Sequence, residues 1–89
     1  MGTRKLCEDF ARANNITFEM EKSTWDYEFD CSVPDGMIIA DEGVTGYSGS
    51  LWYEEGQRKA WQELLKDMKL LAKAELITIK EYIANGGQA

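Results

Sequence analysis

Histidine is absent from this chain of 89 residues, which also has only two cysteines and one proline. Without histidine the chain cannot form a Ser–His or Cys–His nucleophilic pair, and it lacks the commonest partner of cysteine in zinc sites. Cys7 and Cys31 lie 24 residues apart, without a CxxC pair. Both fall on predicted apolar faces, so we expect two reduced core thiols rather than a disulfide. The composition therefore predicts no enzyme active site, no metal and no cofactor.

Long hydrophobic runs are also absent. The longest have three or four residues, against about 20 for a helix that spans a bilayer. The start of the chain leads into no apolar signal segment. We therefore expect a soluble, cytoplasmic chain that makes no membrane contact. With 44% hydrophobic residues, the chain is long enough for one modest core, which predicts a single domain over residues 1–89.

Hydrophobic periodicity changes early in the chain. Thr3–Ala13 has apolar residues at helical spacing and predicts a short amphipathic helix. Ile16–Glu21 and Trp25–Val33 alternate between apolar and polar residues, which predicts two strands of a hairpin. The turn signal Pro34-Asp35-Gly36 follows, and after it Met37–Ala40 is predicted as a third strand.

The helical period returns in the last third of the chain. The glycine-spaced stretch 43–49 predicts a flexible loop, and Ser50–Tyr53 fits either a short edge strand or the entry to the last helix. From about Glu54 the spacing predicts a helix that ends near residues 85–87. A helix of roughly 30 residues would be about 45 Å long, longer than a domain of this size is wide. We therefore expect it either to break near Ile77–Ile79 or to project.

These elements predict an α+β fold of order α-β-β-β-α. A three-stranded antiparallel sheet would be covered on one face by the N-terminal helix and the long C-terminal helix. Because side chains alternate across a strand, the polar residues of the hairpin would lie on the opposite, solvent-facing side. The carboxylates predicted there belong to Glu19, Glu21, Asp26, Glu28 and Asp30.

Negative charge is concentrated in the middle of the chain. Residues 19–55 hold ten acidic residues against one lysine, a net charge of −9 within a chain of net charge −6. Two interpretations remain open: the acidic residues keep the protein in solution, or they present negative charge to a basic partner. Asp41 and Glu42, with the aromatic residues Tyr47 and Trp52, complete the candidate partner-binding set. Alternatively, Trp52 and Trp61 anchor the core between the sheet and the helix.

Other chemistry fits the acidic segment poorly. Asp26, Glu28 and Asp30 imitate the opening of a calcium-binding EF-hand loop, but Cys31 stands where that loop requires glycine, and Met37 where it requires glutamate. Exposed carboxylates on an open face also lack the apolar cleft that raises the pKa of a glycosidase acid. We therefore predict neither a calcium site nor acid–base catalysis.

The predicted element order resembles the double-stranded-RNA-binding domain. Arg58 and Lys59 fall near the start of the last helix, where that family places its basic cluster. Glu54 and Glu55 precede them, however, and the acidic segment would repel RNA phosphates. Binding of duplex RNA is kept as a minor alternative, and we expect no direct contact with nucleic acid.

The chain is also similar to the small acidic inhibitors of phages and other mobile elements, of the anti-CRISPR and anti-restriction type. The similarity rests on size, the absence of cofactor motifs, segregated charge and the three-stranded sheet. It implies a non-enzymatic inhibitor that offers carboxylates to the nucleic-acid-binding surface of a host nuclease. The alternative is a small regulatory or assembly module, homodimeric through Leu76, Ile79 and Ile83 of the C-terminal helix.

Overall fold

The computed structural model describes residues 2–87 and contains three α-helices and five strands in those residues. In chain order they are α1 (Thr3–Asn14), β1 (Thr17–Lys22), β2 (Asp26–Ser32), β3 (Met37–Ile39), β4 (Gly46–Trp52), α2 (Gln57–Lys73), β5 (Leu76–Thr78) and α3 (Ile79–Ala84). A 3₁₀ turn at Tyr53–Glu55 joins β4 to α2. The α+β class and the three-stranded antiparallel sheet predicted from the sequence are confirmed.

The third strand of that sheet is not the predicted one. The strand order is β1-β2-β4, with every neighbouring pair antiparallel. The loop predicted at 43–49 is therefore wrong from Gly46 onward. Gly49 faces the ring of Phe29, and a Cβ atom built on it would lie 2.8 Å from the ring. Glycine here permits close packing inside a strand, although the sequence pattern suggests a loop.

Met37–Ile39 pairs with a strand that interrupts the predicted C-terminal helix. This strand, β3, forms a separate two-stranded sheet with β5, in which Ile39 lies opposite Leu76. The predicted break at Ile77–Ile79 is confirmed, since α2 ends at Lys73 and α3 begins after β5. No helix within residues 2–87 is long and apolar enough to cross a membrane.

The core lies between the inner face of the main sheet and the helices. α2 packs against β2 and β4, and α1 packs against α2 and β1. The largest side chains that are almost fully buried are Ile39, Leu64, Met68, Leu71, Cys7 and Cys31. Both cysteines are free and buried, as predicted. Burial raises the pKa of the Cys31 thiol to about 11, so this thiol stays neutral.

Candidate protein-binding surface

The outer face of the β1–β2 hairpin carries four carboxylates in two cross-strand pairs. Glu19 lies opposite Asp30, and Glu21 lies opposite Glu28. All four side chains are exposed. The alternating residues of the same strands face the helices, as the two-residue period predicts. We call these four residues the acidic face.

The acidic face forms a shallow concavity of about 460 Å³ together with residues of β4. Ser48 and Ser50 of β4 lie opposite Asp30 and Glu28, and they add hydroxyl groups to the carboxylate rows. Gly49 lies between them and also lines the concavity. The surface therefore offers exposed hydrogen-bond acceptors on an open, slightly curved sheet.

No cation of the described residues neutralises these carboxylates. The ion pairs found in residues 2–87 are Arg4–Glu8, Lys5–Asp9 and Lys59–Glu55, all of them outside the acidic face. The one lysine of the hairpin, Lys22, places its ammonium group 4.6 Å from the ring centroid of Tyr53. The negative charge of the face is therefore left to solvent ions or to a partner.

Asp26 lies at the margin of this surface. It has the same strand parity as Glu28 and Asp30, and it is half-buried. Its carboxylate accepts a hydrogen bond from the hydroxyl of Ser23, which closes the β1–β2 turn. Asp26 therefore stabilises the turn and borders the acidic face.

Three of the predicted site residues lie away from the acidic face. Tyr47 pairs with Cys31, so its side chain lies on the helix side of the sheet. Its hydroxyl donates a hydrogen bond of 2.6 Å to Oε2 of Glu42. That contact, with the nearby charges of Asp41 and Asp67, raises the pKa of Tyr47 to about 12. Tyr47 and the acidic residues beside it therefore do not share the outer face with the hairpin carboxylates, and the loop predicted at 43–49 gave no strand register from which this could be seen. A role of Asp41, Glu42 and Tyr47 in partner binding stays a prediction.

Trp52 borders the acidic face at the far end of β4. It lies opposite Asp26, and its side chain is 63% exposed. The alternative that Trp52 and Trp61 both anchor the core is wrong for Trp52 and correct for Trp61, which is only 7% exposed.

A second exposed indole was missed from the sequence. Trp25 is 74% exposed, and its carbonyl accepts the N–H of Tyr53, the residue after Trp52. Strict alternation places Trp25 on the inner face, with Tyr27. However, β2 begins only at Asp26, so Trp25 still belongs to the turn. The turn residues Ser23 and Thr24 just before Trp25 are the sequence signal that the strand alternation starts after it.

This surface combines exposed carboxylates with exposed indoles. Within residues 2–87, no group of three or more Asp, Glu, Cys or His residues is arranged to hold a metal ion. Strand pairing holds the Cβ atoms of each facing pair about 4.5–5.5 Å apart, which lets one guanidinium or ammonium group bridge two carboxylates. The two exposed indoles add apolar contact area at one end.

The chain matches no protein-family model, no curated protein and no solved structure. None of these comparisons therefore bears on its function.

Proposed function

We propose that the protein is a non-enzymatic inhibitor that binds another protein through its acidic face. Its partner would be a nuclease or defence complex, and the acidic face would occupy the surface that otherwise binds nucleic acid, as in inhibitors of the anti-CRISPR type. The observation that carries the proposal is the direct pairing of Glu19 with Asp30 and of Glu21 with Glu28, none of which forms an ion pair with a described lysine or arginine.

Paired like charges lower the stability of a hairpin, which is why they favour a role in binding. Like charges directly opposite each other on neighbouring strands are destabilising. A face that needed only to be solvated would gain stability from mixed charges. A basic surface brought against the acidic face would relieve the repulsion and would also speed the encounter of the two proteins.

The exposed indoles supply binding affinity that surface charge alone does not. Exposed ion pairs contribute little net affinity, whereas tryptophan is enriched among the residues that dominate binding energy. Trp52 and Trp25 lie at one end of the acidic face. An arginine of the partner could stack on an indole while its neighbours contact the carboxylates.

The proposal is tested by affinity capture from a nuclease-treated host lysate at low and high salt. We expect a nucleic-acid-binding protein to be retained at low salt and released as salt rises, because screening weakens exposed charge contacts. The variant with Glu19→Lys, Glu28→Lys and Asp30→Lys should not retain it. A control with Asp35→Lys, Glu75→Lys and Glu81→Lys has the same net charge and should retain it. Equal capture by both variants would contradict the proposal.

A regulatory module that assembles through the C-terminal helix is the second candidate. Ile83 supports it, since this side chain is 68% exposed. Leu76, in contrast, is half-buried and pairs with Ile39 in the small sheet. If this candidate is correct, replacing Ile79 and Ile83 with serine should abolish self-association, and the triple lysine variant should leave it unchanged.

The duplex-RNA alternative has less support. Lys59 makes an ion pair of 3.0 Å with Glu55, so part of the predicted basic cluster is neutralised within the chain. The acidic face lies on the same small domain and would repel a phosphate backbone.

A further inference from the structure

The backbone of β4 has one unpaired edge. In the main sheet β4 pairs only with β2. At the two ends of this pairing the backbone N–H of Val33 donates a hydrogen bond to the carbonyl of Thr45, and the backbone N–H of Tyr53 donates one to the carbonyl of Trp25. Because hydrogen-bonded residues alternate along an antiparallel strand, the odd-numbered residues bond to β2 and the even-numbered ones point outward.

The outward backbone groups belong to Gly46, Ser48, Ser50 and Trp52. Among the hydrogen bonds of residues 2–87 none uses their N–H groups. Ser48, Ser50 and Trp52 are exposed. A row of free donors and acceptors is therefore open to another strand.

The two edges of the sheet differ in how they are protected. Native proteins block edge strands with charged residues, proline or bulges. The β1 edge carries the charged residues Glu19, Glu21 and Lys22, whereas the seven residues of β4 include neither a charge nor a proline. The unprotected edge is thus β4.

We propose that β4 pairs antiparallel with β4 of a second copy of this chain, so that the two main sheets join into one of six strands. Full overlap places Ser48 opposite Ser50 and Gly46 opposite Trp52 of the second copy. In this register all the outward residues of one strand meet outward residues of the other. The pairing then forms roughly eight hydrogen bonds between the chains, since each such pair exchanges two.

This register also accounts for the exposed indole of Trp52. Directly opposite residues of an antiparallel pair lie on the same face of the sheet, so the indole covers Gly46 of the second copy. Aromatic residues stabilise a glycine across strands in this way. At the twofold axis Gly49 meets Gly49, and no side chains clash there.

Charge favours the β4 edge over the β1 edge. In a dimer through β4 the nearest carboxylates of the two acidic faces lie on the β2 strands, three strand spacings or about 14 Å apart. That distance exceeds the screening length of about 8 Å at physiological salt. A dimer through β1 would instead bring Glu19 and Glu21 of both copies within about 5 Å.

The proposal is tested by sedimentation velocity from micromolar to millimolar protein, with Ser50→Pro and Ser50→Ala as a matched pair. Proline removes an outward N–H without touching the bonds to β2, and alanine keeps that N–H. We expect the unchanged protein and Ser50→Ala to dimerise alike, and Ser50→Pro to dimerise at least about tenfold more weakly. A monomer throughout the range, or equal dimerisation of both variants, would overturn the proposal.

Hydrogen exchange on the unchanged protein gives a readout that does not depend on the variants folding. The amides of Ser48, Ser50 and Trp52 should exchange more slowly as protein concentration rises, whereas the outward amides of β1 should not. Exchange that is independent of concentration at these β4 amides would also overturn the proposal. Neither measurement involves the partner of the acidic face, so failure here leaves the proposed inhibitor function standing.

Discussion

At the scale of single residues, Gly49 allows β4 to pack closely on β2. Its missing side chain makes room for the ring of Phe29 on the inner side of the sheet. We expect Gly49→Ala to lower the free energy of unfolding by about 1–3 kcal/mol, because the added Cβ presses on a buried ring. Urea unfolding measures this, with Ser50→Ala as the control that should change little. Equal effects of the two substitutions would show that the close packing at Gly49 is unimportant.

The buried thiol of Cys31 predicts a loss of stability at alkaline pH. Its pKa is raised from 9.0 to about 11 in the fold, mainly by desolvation. The stability that the neutral thiol contributes is fully present below pH 9 and is lost as pH rises towards 11, because the thiol of the unfolded chain ionises first.

The comparison of the natural protein with Cys31→Ala isolates this contribution. Between pH 9 and pH 11 the natural protein should lose more unfolding free energy than the variant, as measured by urea titration at each pH. Other alkaline effects, including the raised pKa values of Cys7 and Tyr47, are common to both proteins. Parallel pH profiles would contradict the raised pKa of Cys31.

At the scale of elements, the β1–β2 hairpin forms despite the repulsion between its own facing carboxylates. Glu21 lies directly opposite Glu28. Glu21→Lys should therefore raise the free energy of unfolding by about 0.2–1 kcal/mol, since a repulsive pair becomes an attractive one. Thermal and urea unfolding at low salt measure it, and Glu75→Lys makes the same charge change outside the acidic face. If Glu21→Lys stabilises no more than Glu75→Lys, the cross-strand repulsion is not significant.

The hairpin could be predicted from sequence because the residue pattern that specifies it lies within the hairpin itself. The alternation in residues 16–33 gives the strands, their inner face and the outward carboxylates without any knowledge of distant residues. The break of the C-terminal helix was also predictable, from the β-branched stretch Ile77–Ile79.

The errors in the fold predicted from sequence came from strand pairings that local sequence patterns do not encode. Glycine spacing in 43–49 is typical of a loop, and only the packing of Gly49 on Phe29 explains a strand there. The pairing of β3 with β5 joins residues far apart in sequence. The incorrect grouping of Tyr47 with the acidic face followed from the first error, because the side of a residue is defined only once its strand register is known.

At the scale of the whole molecule, charge is divided between the two layers. The acidic face lies on the outer side of the sheet, and residues 56–89, which include α2, carry six basic against four acidic residues. A molecule polarised in this way approaches a basic surface with its acidic side first. We expect the association rate with the captured partner to fall steeply as ionic strength rises, while the dissociation rate changes less. Stopped-flow kinetics across a salt series measures both rates, and an association rate independent of salt would argue against steering by the acidic face.

The most direct test of the central claim is a competition experiment on the captured partner. A fluorescent DNA or RNA duplex is first bound to that protein, and its anisotropy is followed as this protein is added. We predict that the natural chain displaces the duplex, that the Glu19→Lys, Glu28→Lys, Asp30→Lys variant does not, and that the Asp35→Lys, Glu75→Lys, Glu81→Lys control does. A ternary complex in which the duplex stays bound would contradict the claim that the acidic face occupies the nucleic-acid-binding site.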